Sequence, residues 1–314
     1  DFYYGYTGHY DGHYHYPLKG NRPMYDGYKD MTDGLAKCYT TDLFTARTKK
    51  WITDHHRTHP EQPFFTYLAY DTPHSPQQVP TTSHMTKTSN YPPGGGLTGG
   101  VQWIADARDG QINTAKGNID KGMHPAFMNR VGDDGKPWPG HAIRHATMIR
   151  RIGDAVVDIV QLLKDLGIDE KTLIVFTSDN GTHRAGGNRP DYFDTFGPYD
   201  GQKRDMWEGG VRMPTFLRWP SVIAAESKSD VPSQFHDWMA TFCDLASVQP
   251  PALGDGVSLV PTITGRGNQV RSTVYSEFLG GWATQPYEEF EPSRRDRKRG
   301  QMQSILIGDY KGVR

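Results

Sequence analysis

HAIRHATMIRRIGDAVVDIVQLLKDLGIDEKTLIVFTSDNG, residues 141–181, sets the fold class. In its first part Ile149, Ile152, Val156, Ile159, Leu163 and Leu166 recur at intervals of three and four, which predicts an amphipathic helix over His141–Leu166 with Gly167 as its C-terminal stop. After the turn IDEK comes TLIVFTS, short, apolar and enriched in Val and Ile, which reads as a buried strand ended by the polar cluster DNG. Helix followed by buried strand is the rhythm of α/β proteins, so a mostly parallel central sheet flanked by helices is expected.

Working upstream, PFFTYLAY (residues 63–70) reads as another buried strand, stopped by the prolines of DTPHSP. It follows a predicted amphipathic helix over Thr40–His56, with Asp42 near its start. Residues 75–140, which include YPPGGGLTGG, lack sustained periodicity and read as a long excursion. The opening stretch to Lys37 is rich in Tyr, His, Gly and Asp without a period, and reads as ordered loop. Downstream, a helix is expected near Phe235 to Leu245. VYSEF and SILIGDY then flank a charged run as two strands of a small antiparallel subdomain. The expected division is therefore 1–270 for the main domain and 271–314 for the start of the appendage.

With 35 Lys and Arg against 36 Asp and Glu in 314 residues, the chain has no global attraction to nucleic acid or a membrane surface, so an anionic ligand needs a local site. Cys38 and Cys243 stand far apart without a C-x-x-C motif, against a disulfide framework or zinc cluster. No stretch approaches the ~20 apolar residues of a membrane helix. The first residues have neither the basic start nor the apolar core of a signal peptide, and the chain is expected to begin inside a longer protein.

Ligands of parallel α/β sheets bind beyond the carboxyl ends of strands, which singles out His74 after the first buried strand and Asp179 with Asn180 after the second. Asp and Asn offer hard oxygens suited to calcium or magnesium, but calcium takes roughly six to eight. The commoner reading of TSDNG is a plain strand-ending turn. His74 lies between prolines in T-P-H-S-P, where a restricted backbone fixes its direction; a capping or packing histidine is the commoner case. Lys203, in YDGQKRDMWEGGVRMP, has a point charge suited to a sulfate or phosphate oxygen, or is a solvated surface lysine.

Together these words are specific. Residues 172–214, TLIVFTSDNGTHRAGGNRPDYFDTFGPYDGQKRDMWEGGVRMP, resemble the sulfatase pattern of a T-L-[IV]-[IV]-F-T-S-D-N-G run followed by G-x-K-x-x-x-x-E-G-G-x-R-x-P. PFFTYLAYDTPHSP resembles the family's P-F-F-L-Y-L-A-x-x-x-P-H-x-P, and DFYYGY its D-Y-F-Y-G-Y. The resemblance implies an alkaline phosphatase-like fold and a formylglycine-type sulfatase acting on a sulfated small molecule or polysaccharide, exported to the periplasm or beyond. By position, Asp179 and Asn180 match two calcium ligands, His74 and Lys203 match the groups that contact sulfate, and His183 and His13 match positions at the substrate mouth.

Two departures stand out. Residues 183–187 read H-R-A-G-G where many relatives carry an acidic residue. More important, the family's paired Asp ligands and its C/S-x-P-x-R motif, source of the formylglycine nucleophile, do not occur in this chain, which is therefore expected to be inactive alone. A phosphodiesterase or phosphatase of the same superfamily, or a non-catalytic sulfated-glycan-binding relative, are the alternatives. The run Arg294, Arg295, Arg297, Lys298 and Arg299 reads as a solvated loop neutralised by Glu288, Glu289 and Glu291.

Overall fold

The computed structural model describes residues 2–35, 38–79, 95–103, 112–113 and 123–314. Of the 75–140 excursion, residues 80–94, 104–111 and 114–122 lie outside the described residues. The architecture is α/β, and the chain forms two compact units: Asp1–Asp169 with Arg184–Arg189, and Glu170–His183 with Pro190–Arg314.

The first unit is built on two helices. Helix α1 spans Thr40–Thr58 and buries Leu43, Phe44, Ala46 and Ile52. Leu43, Phe44 and Ala46 pack with Met24, Leu35, Cys38 and Val101 into one apolar cluster, against which Tyr4, Tyr6, Leu68 and Tyr70 lie. The opening stretch, expected as ordered loop, also carries short strands. Tyr4–Gly5 (β1), Tyr25–Asp26 (β2) and Lys29–Asp30 (β3) form an antiparallel sheet in the order β1-β2-β3. Strands Gln102–Trp103 (β4) and Ile112–Asn113 (β5) pair antiparallel, and the short helix α2 (Pro125–Met128) is N-capped by His124.

The predicted long helix is present as α3, Gly140–Asp165. Its buried face runs through Met148, Ile152, Ala155, Leu162 and Leu163, while Ile149 is exposed. The stripe is turned from the expected one because two charged residues also face inward. Arg151 pairs with Asp42 of α1, both almost wholly buried. Asp158 pairs with Lys49 at 2.6 Å and also accepts the Gly96 and Val101 amides, while Lys49 donates to the carbonyls of Gly99 and Val101. These two ion pairs join α1 to α3 and tether the glycine-rich loop 95–101.

PFFTYLAY belongs to no ladder among the described residues. It runs extended with Leu68 and Tyr70 against the core and Phe65 and Tyr67 outward, so the expected buried strand is instead a half-exposed segment.

In the second unit, Ile174–Phe176 (β6) pairs antiparallel with Phe216–Arg218 (β7). The sequence expects a mostly parallel sheet; the ladders among the described residues are antiparallel. Here the intervening 39 residues, 177–215, leave and return to one place, closed by a 2.9 Å contact between the Thr177 and Thr215 hydroxyls. Helix α4 (Glu208–Val211) lies within that excursion. Helix α5, Phe235–Leu245, has the expected bounds and opens on a capping box between Gln234 and Asp237. Helix α6 covers Val260–Thr264. The expected terminal strands appear as Val274–Leu279 (β8), Gln301–Ile307 (β9) and Tyr310–Val313 (β10), antiparallel in the order β10-β9-β8.

Candidate active site

The residues singled out by sequence fall into two groups. Asp179, Asn180, His183 and Lys203 lie in the second unit; His13 and His74 lie in the first.

Two loops build the first group backbone to backbone. Beyond β6, the Gly181 amide donates to the Gly210 carbonyl at 2.9 Å, and the Lys203 amide donates to the Thr182 carbonyl at 2.6 Å. Gly209 in turn donates to Asp200 O at 2.8 Å. The approach is so close that a Cβ at Gly181 would overlap the Gly209 carbonyl, and a Cβ at Gly209 would overlap that of Gly201. D-N-G and E-G-G are therefore two halves of one packing contact, which explains why glycine is needed in both. Thr182 adds a 2.7 Å hydroxyl contact to Thr195.

Lys203 is half-buried. Burial lowers its ammonium from the usual lysine range, the Asp179 carboxylate pulls it back up, and Arg204 lowers it further. Asp179 thus acts electrostatically on the lysine that the backbone contacts hold beside its loop.

Asp179 is exposed. The Asn180 amide nitrogen donates to the Gly181 carbonyl at 2.9 Å, which engages the nitrogen end and leaves the oxygen end as the donor. In donor type the pair fits a hard cation such as calcium, although two oxygens fall short of its usual coordination of about six to eight. Among the described residues no three His, Cys, Asp or Glu side chains converge into a complete metal site.

The rest of the second loop is braced by residues that sequence reasoning assigned elsewhere. Arg294 pairs with Asp200 and lies over the Trp207 ring at 4.0 Å. Arg299, almost buried, faces Asp205 at 3.7 Å. Two members of the basic run therefore find their carboxylates in the Lys203 loop, where the expectation named Glu288, Glu289 and Glu291. Sequence distance hid this, because the partners lie 94 residues apart in the first case. Glu208 joins Arg212 and Lys311. Burial pushes its carboxyl up, but hydrogen bonds from Lys311 and Arg212 outweigh this and leave it below the usual glutamate value.

In the first unit His74 stacks on His13, with ring centres 4.2 Å apart and planes 16° from parallel. Its amide donates to Asp71 O at 3.1 Å, and its Nδ1 lies 2.7 Å from the Ser75 carbonyl. His9 packs edge-on against His13 at 4.7 Å. Neighbouring His15, fully buried, was not singled out from the sequence; Asp71, three residues before His74, was also missed. The signal for both was proximity in sequence to His13 and His74, but only burial distinguishes them.

The family model described as Sulfatase matches residues 2–248. Among curated relatives, mouse N-acetylgalactosamine-6-sulfatase is 34% identical over 163 residues, covering 47% of this chain and 31% of the relative. Human steryl-sulfatase is 37% identical over 148 residues, covering 46% and 25%. A protein solved in complex with its substrate, D-glucosamine-2-N,6-O-disulfate, superposes with a TM-score of 0.56 at 18% identity, over 100% of this chain and 66% of that one. The aligned parts span about a quarter to a third of the length of these two curated relatives.

Proposed function

This chain belongs to the sulfatase family and has its alkaline phosphatase-like α/β fold, and from that premise we propose that the protein hydrolyses sulfate esters. The observation that carries the reading is the contact between the D-N-G and G-x-K-x-x-x-x-E-G-G loops, which keeps a half-buried Lys203 under the influence of Asp179.

Lys203 would neutralise charge gathering on the sulfuryl oxygens, a preorganised contact of the kind worth about 3 to 4 kcal/mol in other enzymes. His74, oriented by Ser75 and His13, would hydrogen-bond the sulfate group or assist the leaving oxygen. Asp179 and Asn180 would hold calcium, which supplies positive charge to the same oxygens. His183 and His13 would stand at the substrate mouth. The nucleophile is a formylglycine in this reading, and the chain carries no C/S-x-P-x-R motif to provide one. A sulfated sugar is the proposed substrate class, supported by the substrate of the solved neighbour. Action outside the cytoplasm belongs to the same proposal.

The test is binding. Isothermal titration of the purified chain with sodium sulfate in calcium buffer is expected to show one saturable site, weakened at least tenfold by Lys203→Ala and by His74→Ala. Aryl sulfate is expected to remain uncleaved by the chain alone. Sulfate binding that is indifferent to both substitutions would defeat the reading, while calcium-dependent cleavage by the chain would overturn the formylglycine assignment and leave sulfate-ester hydrolysis standing.

A further inference from the structure

Beside the stacked pair His13 and His74 are two side chains that the proposed chemistry does not use. Both carboxylate oxygens of Asp71 are closed off from solvent and lack a hydrogen-bond partner. The same holds for both ring nitrogens of His15, a residue with no exposed surface. The Thr40 hydroxyl and the Thr72 amide lie near the Asp71 carboxyl, and the Asp71 backbone lies near the His15 ring, but none of these closes to hydrogen-bonding geometry. Buried polar groups left this way are rare and call for a physical account.

We infer that Asp71 is a positioning residue for the histidine pair: with its carboxyl neutral, residues 73–76 hold His74 against His13, and with its carboxyl ionised they shift and the stack is lost.

The neutral acid costs far less to bury than the anion, because a sealed carboxylate loses its hydration and the nearby donors replace only part of it. Burial accordingly pushes the Asp71 carboxyl up to about 7, with Thr40 and the Asp71 and Thr72 amides only partly opposing. His15 is the adjacent base, but burial drives its imidazole down to about 4, nearby His74 and His13 lower it further, and only the Asp71 backbone opposes. It therefore does not take up the proton that Asp71 releases.

The other groups facing Asp71 are the phenols of Tyr6 and Tyr39, both raised by burial and then by the Asp71 charge itself. Behind Tyr6 stand Arg22 and Asp11, and behind Tyr39 stand Tyr16 and Asp42. Arg22, the cation among these, lies over the Tyr14 ring at 4.3 Å.

The mechanical link is direct. The Asp71 carbonyl accepts the His74 amide, so movement of Asp71 carries His74 with it. The far end is tied: His15 N donates to the Gln78 side chain at 2.8 Å, and the Tyr39 and Tyr16 hydroxyls donate to the carbonyls of Gln78 and Val79, each at 3.0 Å. The Asp71 end is tied as well, the Thr72 hydroxyl meeting that of Thr41 at 2.9 Å and the Tyr70 hydroxyl that of Thr45 at 2.8 Å, so the stretch that responds lies between, at residues 73–76, and carries His74.

The inference stands apart from sulfate-ester chemistry and is read without substrate. In the ¹³C,¹⁵N-labelled chain, the Asp71 carboxyl carbon should titrate near neutrality, and the ring protons of His13 and His74 should lose their stacking shift with the same midpoint. Asp71→Asn, which copies the neutral acid, should keep the low-pH ring pattern up to pH 9. Because the folded state favours the protonated form, the stability this group contributes is complete below the ordinary carboxylate range and lost as pH rises to about 7. Asp71→Asn should therefore match the wild-type Tm at pH 4 and exceed it at pH 8. The inference fails if the carboxyl carbon titrates in the ordinary range, or if the histidine transition persists in Asp71→Asn. It also fails if the His15 nitrogens become imidazolium-like while the stack survives. The wild-type titration decides even if the variant does not fold.

Discussion

Arg151 and Asp42 show what a single charged residue does when the fold takes it out of water. Burial raises the Asp42 carboxyl and the Arg151 guanidinium pulls it down again, so each charge is tolerable only because of the other. Arg151→Met should cost about 3 to 5 kcal/mol in urea unfolding. Replacing Asp42 with Leu in the same chain should recover most of that loss, since the uncompensated anion is then gone. Recovery of none of it would mean that the arginine's packing, and not its charge, was lost. The sequence could not announce this pair. Asp42 reads as a helix-start residue complementing the dipole, and the two residues are 109 positions apart. Lys203, Asp179 and His74 stand out in the sequence for the opposite reason, since they lie in short words that resemble a family pattern. Asp71 and His15 had no such word and became visible only as buried groups.

At the level of elements, the periodicity of residues 141–166 gave a helix displaced by one residue at either end, and composition gave β8, β9 and α5. Which face of α3 turns inward was not legible, because Asp158 and Arg151 count as polar in any pattern and are buried here. PFFTYLAY shows the same limit from the other side: an apolar run states that it can be a strand, and only a hydrogen-bonded neighbour makes it one. The glycine-rich loop 95–101 is held by Asp158, and Gly100, at φ +67°, sits where a Cβ would overlap that carboxylate. Gly100→Ala should lower stability by about 1 to 3 kcal/mol through strain and a displaced Lys49–Asp158 pair. Gly135→Ala, also at positive φ but with open space around it, should cost less. Equal losses for the two, measured by denaturant titration, would show that backbone strain alone governs both.

For the whole molecule, net charge near zero gives little mutual repulsion between copies. Large apolar side chains are on the surface: Phe65 and Tyr67 of the extended segment 63–70, Phe216 at the end of β7, and Leu279, Ile307 and Tyr310 on the terminal sheet. Ile307 and Tyr310 are cross-strand neighbours, so they form one patch. The chain should self-associate with rising concentration. Ile307→Lys with Tyr310→Glu should shift light-scattering mass toward the monomer without changing the circular dichroism spectrum. Unchanged association would assign it to the exposed segment around Phe65 instead.

The contact of Gly181 with Gly209 carries a final consequence. Because the two strands of main chain touch with no side chain between them, the spot where Lys203 presents its charge is fixed by peptide units, which mutation does not alter. Evolution is left free to vary the side chains around that charge, and so to change which molecule is admitted, while the anchor beneath it tolerates not even a methyl group.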